Sequence, residues 1–124
     1  MLLTMHLFIL LSLSSAFAYA GTWSGALVDS KCFEIAERNV NPTDTLTYVD
    51  RDQNQEIRYC SPGAKTKVFA VVQHDGVSLK LDSAGNAKAV EIVRRNVKKS
   101  PLTVVITGEM SENTIKVDSI SMVR

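Results

Sequence analysis

Val68-Phe69-Ala70-Val71-Val72 places five apolar residues in a row between Lys67 and Gln73. Successive side chains in a strand point to opposite faces, so the segment Thr66 to Gln73 is apolar on both sides and belongs at the centre of a β structure. His74-Asp75-Gly76 then supplies hairpin-turn chemistry, and Val77, Leu79 and Leu81 alternate with Ser78 and Lys80 in a returning strand.

Other segments keep the same period. Thr22 to Val28 reads as a strand with Trp23, Gly25 and Leu27 on one face and Ala26 and Val28 on the other, ending at Asp29-Ser30. Leu102, Val104, Ile106 and Met110 share one face of a strand that turns at Ser111-Glu112-Asn113 into Thr114 to Val123. Ile115 and Val117 keep one phase there and Ile120 and Met122 the other, which predicts a bulge near Asp118-Ser119. Between the hairpins the period lengthens: Ala89, Val90, Ile92, Val93 and Val97 form a helical stripe, with Asn86 as the expected cap. Arg94, Arg95, Lys98 and Lys99 suit the carboxyl-terminal dipole, and Ser100-Pro101 stops the helix.

The first twenty residues contain no Asp, Glu, Lys or Arg and end in Ala18-Tyr19-Ala20, the small-x-small pattern that signal peptidase reads. The apolar run Leu7 to Leu11 is too short to cross a bilayer of ~30 Å. We therefore expect residues 1–20 to be a signal peptide, 21–124 to be one extracytoplasmic (secreted or periplasmic) domain, and no stable membrane span to remain after cleavage. Ala18 offers a second cleavage point. All 14 Lys and Arg and all 13 Asp and Glu follow the leader, so the exported part is charge-rich but balanced at +1. Such a balance gives no field that would draw the chain onto nucleic acid or anionic membrane.

Both cysteines, Cys32 and Cys60, also follow the leader. In an oxidising compartment they are expected to form a disulfide, worth about 3 to 4 kcal/mol through chain entropy. The alternatives are redox or metal-binding thiols, which lack C-x-x-C spacing here, or two free thiols. The polar stretch between strand and cysteine-closed end, interrupted at Asn41-Pro42 and Ser61-Pro62-Gly63, is too long to be structureless. Phe33 is expected to begin a short helical turn through Glu34 to Arg38. Thr45 to Val49 and Glu56 to Tyr59 are expected to form a small hairpin around Asp50 to Gln55.

The resulting order is strand, long loop, hairpin, helix, hairpin: a mainly β chain of five strands with one helix between the third and fourth, the order of an OB-type barrel. Leu81-Asp82-x-x-Gly85, Val104-x-Ile106-x-Gly108-Glu109 and Ile115-x-Val117-x-x-Ile120 resemble the small exported bacterial OB-fold domains. With Asp29-Ser30-Lys31-Cys32 after a Trp-x-Gly strand, the whole exported part also resembles small secreted bacterial proteins of uncharacterised function. Those proteins often carry further Cys or His in the first loop, and this chain does not.

Candidate chemistry is sparse. His74 is the one histidine after the leader and reads as a solvated turn residue. No G-x-S-x-G, H-E-x-x-H or phosphate-cradling glycine loop is present. Asp50, Asp52, Asn54 and Glu56 recur at every second position, echoing the start of a calcium loop, but Gln55 stands where the turn wants Gly and Ser61 where a bidentate Glu should close the shell. The basic group Arg94, Arg95, Lys98 and Lys99 could contact phosphates, yet few aromatics remain for stacking bases, since Trp23 and Phe69 are needed in the core. The expectation is an exported, non-catalytic binding or envelope-associated module without a cofactor, facing an unidentified protein or small ligand through its cysteine-closed loop. Tyr48, Asp50, Asp52 and Tyr59 are the expected contact residues, because loops on a rigid scaffold most often carry recognition. The alternatives are a secreted enzyme or inhibitor with its site in residues 29–65, and a calcium-binding module.

Overall fold

In a computed structural model the residues described are 19–38, 46–96, 99 and 101–123, with 38 and 46–52 described through their backbone alone. The elements run β1 (Tyr19–Asp29), α1 (Ser30–Arg38), α2 (Leu46–Tyr59), β2 (Phe69–Val72), β3 (Ser78–Leu81), α3 (Ser83–Arg95), β4 (Leu102–Ser111) and β5 (Thr114–Met122). The strands close a barrel in the order β1-β2-β3-β5-β4. The long first strand makes this closure. Its residues from Tyr19 to Leu27 pair antiparallel with β4, while Ala26 to Asp29 pair antiparallel with β2. The parallel pairing of β3 with β5 seals the opposite side, Leu81 lying against Ile115. The expected mainly β class, the five strands and the helix between the third and fourth are all present.

The predicted faces hold within the paired strands, but β2 and β3 are shorter than expected, and Val68 and Val77 lie outside them and are exposed. Trp23 and Leu27 of β1, Phe69 and Val71 of β2, Leu79 and Leu81 of β3, and Leu102, Val104 and Ile106 of β4 form one buried cluster with Ile115 and Val117 of β5. Ala89 and Val93 of α3 belong to the same cluster, so this helix closes one end of the barrel. Val90 and Ile92, which the stripe also included, are not fully buried. Val97, Lys98 and Ser100 lie outside the described residues. The expected bulge is present: Thr107 pairs with Ser119 and Gly108 with Val117, which leaves Asp118 as the extra residue.

One cap is corrected. Asp82, not Asn86, precedes α3, and its Oδ1 accepts from Gly85 N at 2.9 Å and from Val117 N at 3.2 Å. Asn86 lies inside the helix, where its Oδ1 accepts from Phe69 N at 3.0 Å. Two side chains on the first turns of α3 thus satisfy backbone donors of β2 and β5 as well as of the helix. Asp82→Ala loses the cap and orphans Val117 N, so we expect a destabilisation of about 2 kcal/mol in urea titrations, with Asn86→Ala costing about 1 kcal/mol or more.

A second buried cluster lies on the outside of the barrel. Val28 of β1 and Ala70 and Val72 of β2 point away from the interior and are covered by Phe33 of α1, Ile57 of α2 and Cys60. This is why β2 is apolar on both faces: the barrel fills one side and the cysteine-closed segment the other. The expected hairpin is therefore corrected over Leu46–Tyr59 to a helix, α2, and Thr45 lies outside the described residues. Leu46, Val49, Gln53, Ile57 and Cys60 recur at intervals of three and four, the helical period, and Ile57 and Cys60 use it to reach the outer wall. α1 also starts earlier than expected, at Ser30, because Asp29 caps it through a hydrogen bond from Cys32 N to Oδ1 at 3.1 Å. Among the described residues no helix is long and apolar enough to cross a membrane.

Candidate recognition cleft

Asp29 ends β1 and organises the start of the outer layer. Its backbone N donates to Cys60 O at 2.8 Å, its Oδ1 caps α1, and its Oδ2 accepts from Thr66 Oγ1 at 3.1 Å. The expected disulfide joins Cys32 to Cys60 with Cα atoms 5.4 Å apart, and Cys60 is 1% exposed. The two helices are thereby anchored at the base of α1 and at the end of α2. Lys80 Nζ on β3 also reaches Glu34 Oε1 at 3.1 Å, but both groups are half-exposed and such a pair contributes about 0 to 1 kcal/mol.

Between α2 and the barrel wall runs a cleft of about 530 Å³. Ala26, Ile57 and Val72 form its apolar floor, and Ser24, Gln53, Asn54, Gln73, His74 and Thr103 supply polar side chains. Gly25 contributes bare backbone. A Cβ there would lie 2.1 Å from Val72 O, so only glycine lets β1 approach the end of β2 this closely. Gly25→Val should lower stability by about 3 kcal/mol in chemical denaturation and disturb the cleft wall. The β2–β3 turn that carries His74 is fixed by Gln73 N to Val77 O at 2.9 Å, by Val77 N to Asp75 Oδ1 at 3.0 Å and by Gly76 at φ 89°.

The expected contact residues fall unevenly on this arrangement. Tyr59, at the end of α2, is 83% exposed. The side chains of Tyr48, Asp50 and Asp52 lie outside the described residues. Asn54 lines the cleft. The alternation of Asp50, Asp52, Asn54 and Glu56 is carried on helical backbone, where alternate positions lie about 200° apart around the axis, so it does not build the turn of a calcium loop. Among the described residues no group of three or more His, Cys, Asp and Glu is placed to hold a metal ion. Gln53, Gln73, Ser24 and Thr103 were not singled out from the sequence. The helical spacing of Gln53 with Ile57 was the available signal for the first of them.

His74 is exposed on the cleft rim, in keeping with its reading as a turn residue. Partial burial raises the pKa of Glu37 near the end of α1. The folded state therefore disfavours the ionised carboxylate, a penalty absent below the unfolded pKa and complete above the folded one. Glu37→Gln should raise the melting temperature slightly at neutral pH and leave it unchanged in acid, where both side chains are neutral. In comparisons with known proteins, no family model, no curated protein and no solved structure matches this chain.

Proposed function

We propose that this chain is an exported, non-catalytic binding module built on an OB-type barrel, with the disulfide-closed helical pair as its recognition element. The observation that carries the reading is the cleft between α2 and the barrel wall, whose walls are fixed by covalent and packing constraints rather than left to a mobile loop. Its volume lies within the range of small-ligand sites, and it combines an apolar floor with a few polar side chains. The strand order and the helix between β3 and β4 support the OB-type assignment, and in that architecture the first long connection is a common place for recognition. The disulfide is in keeping with an oxidising, extracytoplasmic compartment.

A non-catalytic role is supported by the chemistry of the described lining. His74 is its one ionisable side chain and is exposed, and the Oδ1 of its neighbour Asp75 is taken up by Val77 N within the turn. The lining is instead rich in amides and hydroxyls, which hold a ligand by hydrogen bonds. Tyr59, about 200° around α2 from Ile57 on the cleft floor, presents a separate exposed amphipathic ring of the kind enriched at interfaces.

The test is capture from the native envelope and medium by immobilised protein, with wild type compared against Gln53→Ala/Asn54→Ala and against Tyr59→Ala. We expect a species retained by wild type to be lost at least tenfold on the double variant while its melting temperature is unchanged. Equal retention by all three proteins would reject the cleft as the recognition element. The export half of the proposal has its own readout. Intact mass of the natural product should match a chain beginning at Gly21, or at Tyr19 if cleavage after Ala18 keeps the first two rungs of β1, and two hydrogens lighter than the reduced form.

A further inference from the structure

The basic residues at and beyond the end of α3 are not absorbed by the reading above, and two of them, Arg94 in its last turn and Lys99 after it, line a second cleft of about 390 Å³. Its floor is apolar, built from Val93 and Leu102, which are 5% and 2% exposed, with Val90, Pro62 and Ala64 beside them. We propose that this cleft binds a small amphiphile with one anionic headgroup, the apolar body lying on Val93 and Leu102 and the headgroup between Arg94 and Lys99.

Three observations support that occupant. First, the wall formed by residues 61–66 is preformed: Gly63 N donates to Thr66 Oγ1 at 3.0 Å, Thr66 N to Gly63 O at 3.1 Å, and Thr66 Oγ1 to Asp29 Oδ2 at 3.1 Å. A rigid wall lowers the ordering cost of binding. Second, the described lining contains two cations and no carboxylate. Arg94 does contact Glu91 at 2.9 Å, but both side chains are well exposed, and so weak a surface pair leaves the guanidinium free to be recruited. Third, two of the last four carbonyls of α3, Ile92 O and Val93 O, which would repel an anion here, are already engaged, and a turn beyond the helix holds the backbone of Lys99. Asn96 Nδ2 donates to Ile92 O at 2.8 Å, Asn96 N to Val93 O at 3.1 Å, and Lys99 N to Asn96 O at 3.0 Å.

The experiment is an NMR titration of the protein lacking its leader with octanoate below its micelle concentration, octanol below its solubility limit, and acetate. Octanoate should shift the amides of Ala64, Asn96 and Leu102 saturably. Octanol, which keeps the apolar body without the charge, should bind about fivefold more weakly, as should octanoate to Arg94→Gln/Lys99→Gln. Acetate should give no saturable shift. The single variant Lys99→Gln, expected to weaken binding about twofold, serves if the double variant does not fold. The proposal is overturned if octanoate does not saturate, if octanol binds as tightly, or if acetate reproduces the shifts, which would mark an adventitious anion only. Loss of capture through Gln53 and Asn54 would leave this result untouched, since none of these residues is shared between the two clefts.

Discussion

Replacing Phe33 by Ala is expected to lower stability by about 3 to 5 kcal/mol, a large share of a small domain's margin of roughly 5 to 15 kcal/mol. Phe33 is 2% exposed and is the largest side chain of the outer cluster, where it covers Val28, Ala70 and Val72. Its loss leaves a cavity between α1 and the barrel wall that neighbouring Ala36 and Cys32 are too small to fill. The effect should be local in character. Trp23, the sole tryptophan, is packed inside the barrel in the other cluster, so its fluorescence reports the barrel alone. In urea we expect helical ellipticity in Phe33→Ala to fall at lower denaturant than the Trp23 signal, whereas the two transitions coincide in wild type.

Removing the disulfide as Cys32→Ala/Cys60→Ala should cost about 3 to 4 kcal/mol and lower the melting temperature by roughly 15 to 25 °C. The bond spans 28 residues of sequence, and without it the unfolded chain regains the entropy of that open loop. The folded side loses as well, because the sulfur of Cys60 is itself part of the outer cluster. Asp29 N to Cys60 O and the α1 cap by Asp29 remain, so the helical pair should be loosened at its base and not detached outright. Differential scanning calorimetry of the oxidised protein against the double variant measures the difference. A change in melting temperature of only a few degrees would show that packing alone positions the pair.

The two predictions concern the part of the fold that was hardest to read. The barrel strands were legible because their side chains alternate against a single interior: Leu79 and Leu81, Leu102 to Ile106, and Ile115 and Val117 each keep one phase. The bulge was legible for the same reason, since a phase change inside one strand demands an extra residue at Asp118. For α2 the local evidence was split. Tyr48, Val49, Ile57 and Tyr59 are good strand formers, and their clustering favours a hairpin by propensity, which tertiary packing can override. The same segment has the helical spacing that the outer wall selects, because Val28, Ala70 and Val72 need a cover.

That non-local partner was visible only indirectly. Five apolar residues in a row around β2 required something on both faces, and the cysteine-closed segment was the covering element. The cleft was illegible for a related reason: it joins Ser24 of β1, Gln53 of α2, Gln73 after β2 and Thr103 of β4, which no sequence spacing connects. The cap of α3 shows a smaller case of the same kind. Asn86 and Asp82 both precede apolar helical positions, and the choice of Asp82 follows from its second acceptor role toward Val117 N on β5.

Hydrogen exchange of the backbone amides from Gln53 to Cys60, followed in the oxidised protein at neutral pH, tests most directly whether the disulfide-closed segment is a packed element on the barrel. The account predicts protection at Ile57 and Cys60 that approaches that of Val71 and Ile106 and drops at least tenfold in Phe33→Ala. Exchange of these amides at the rate of an unstructured peptide, with the barrel amides still protected, would contradict it.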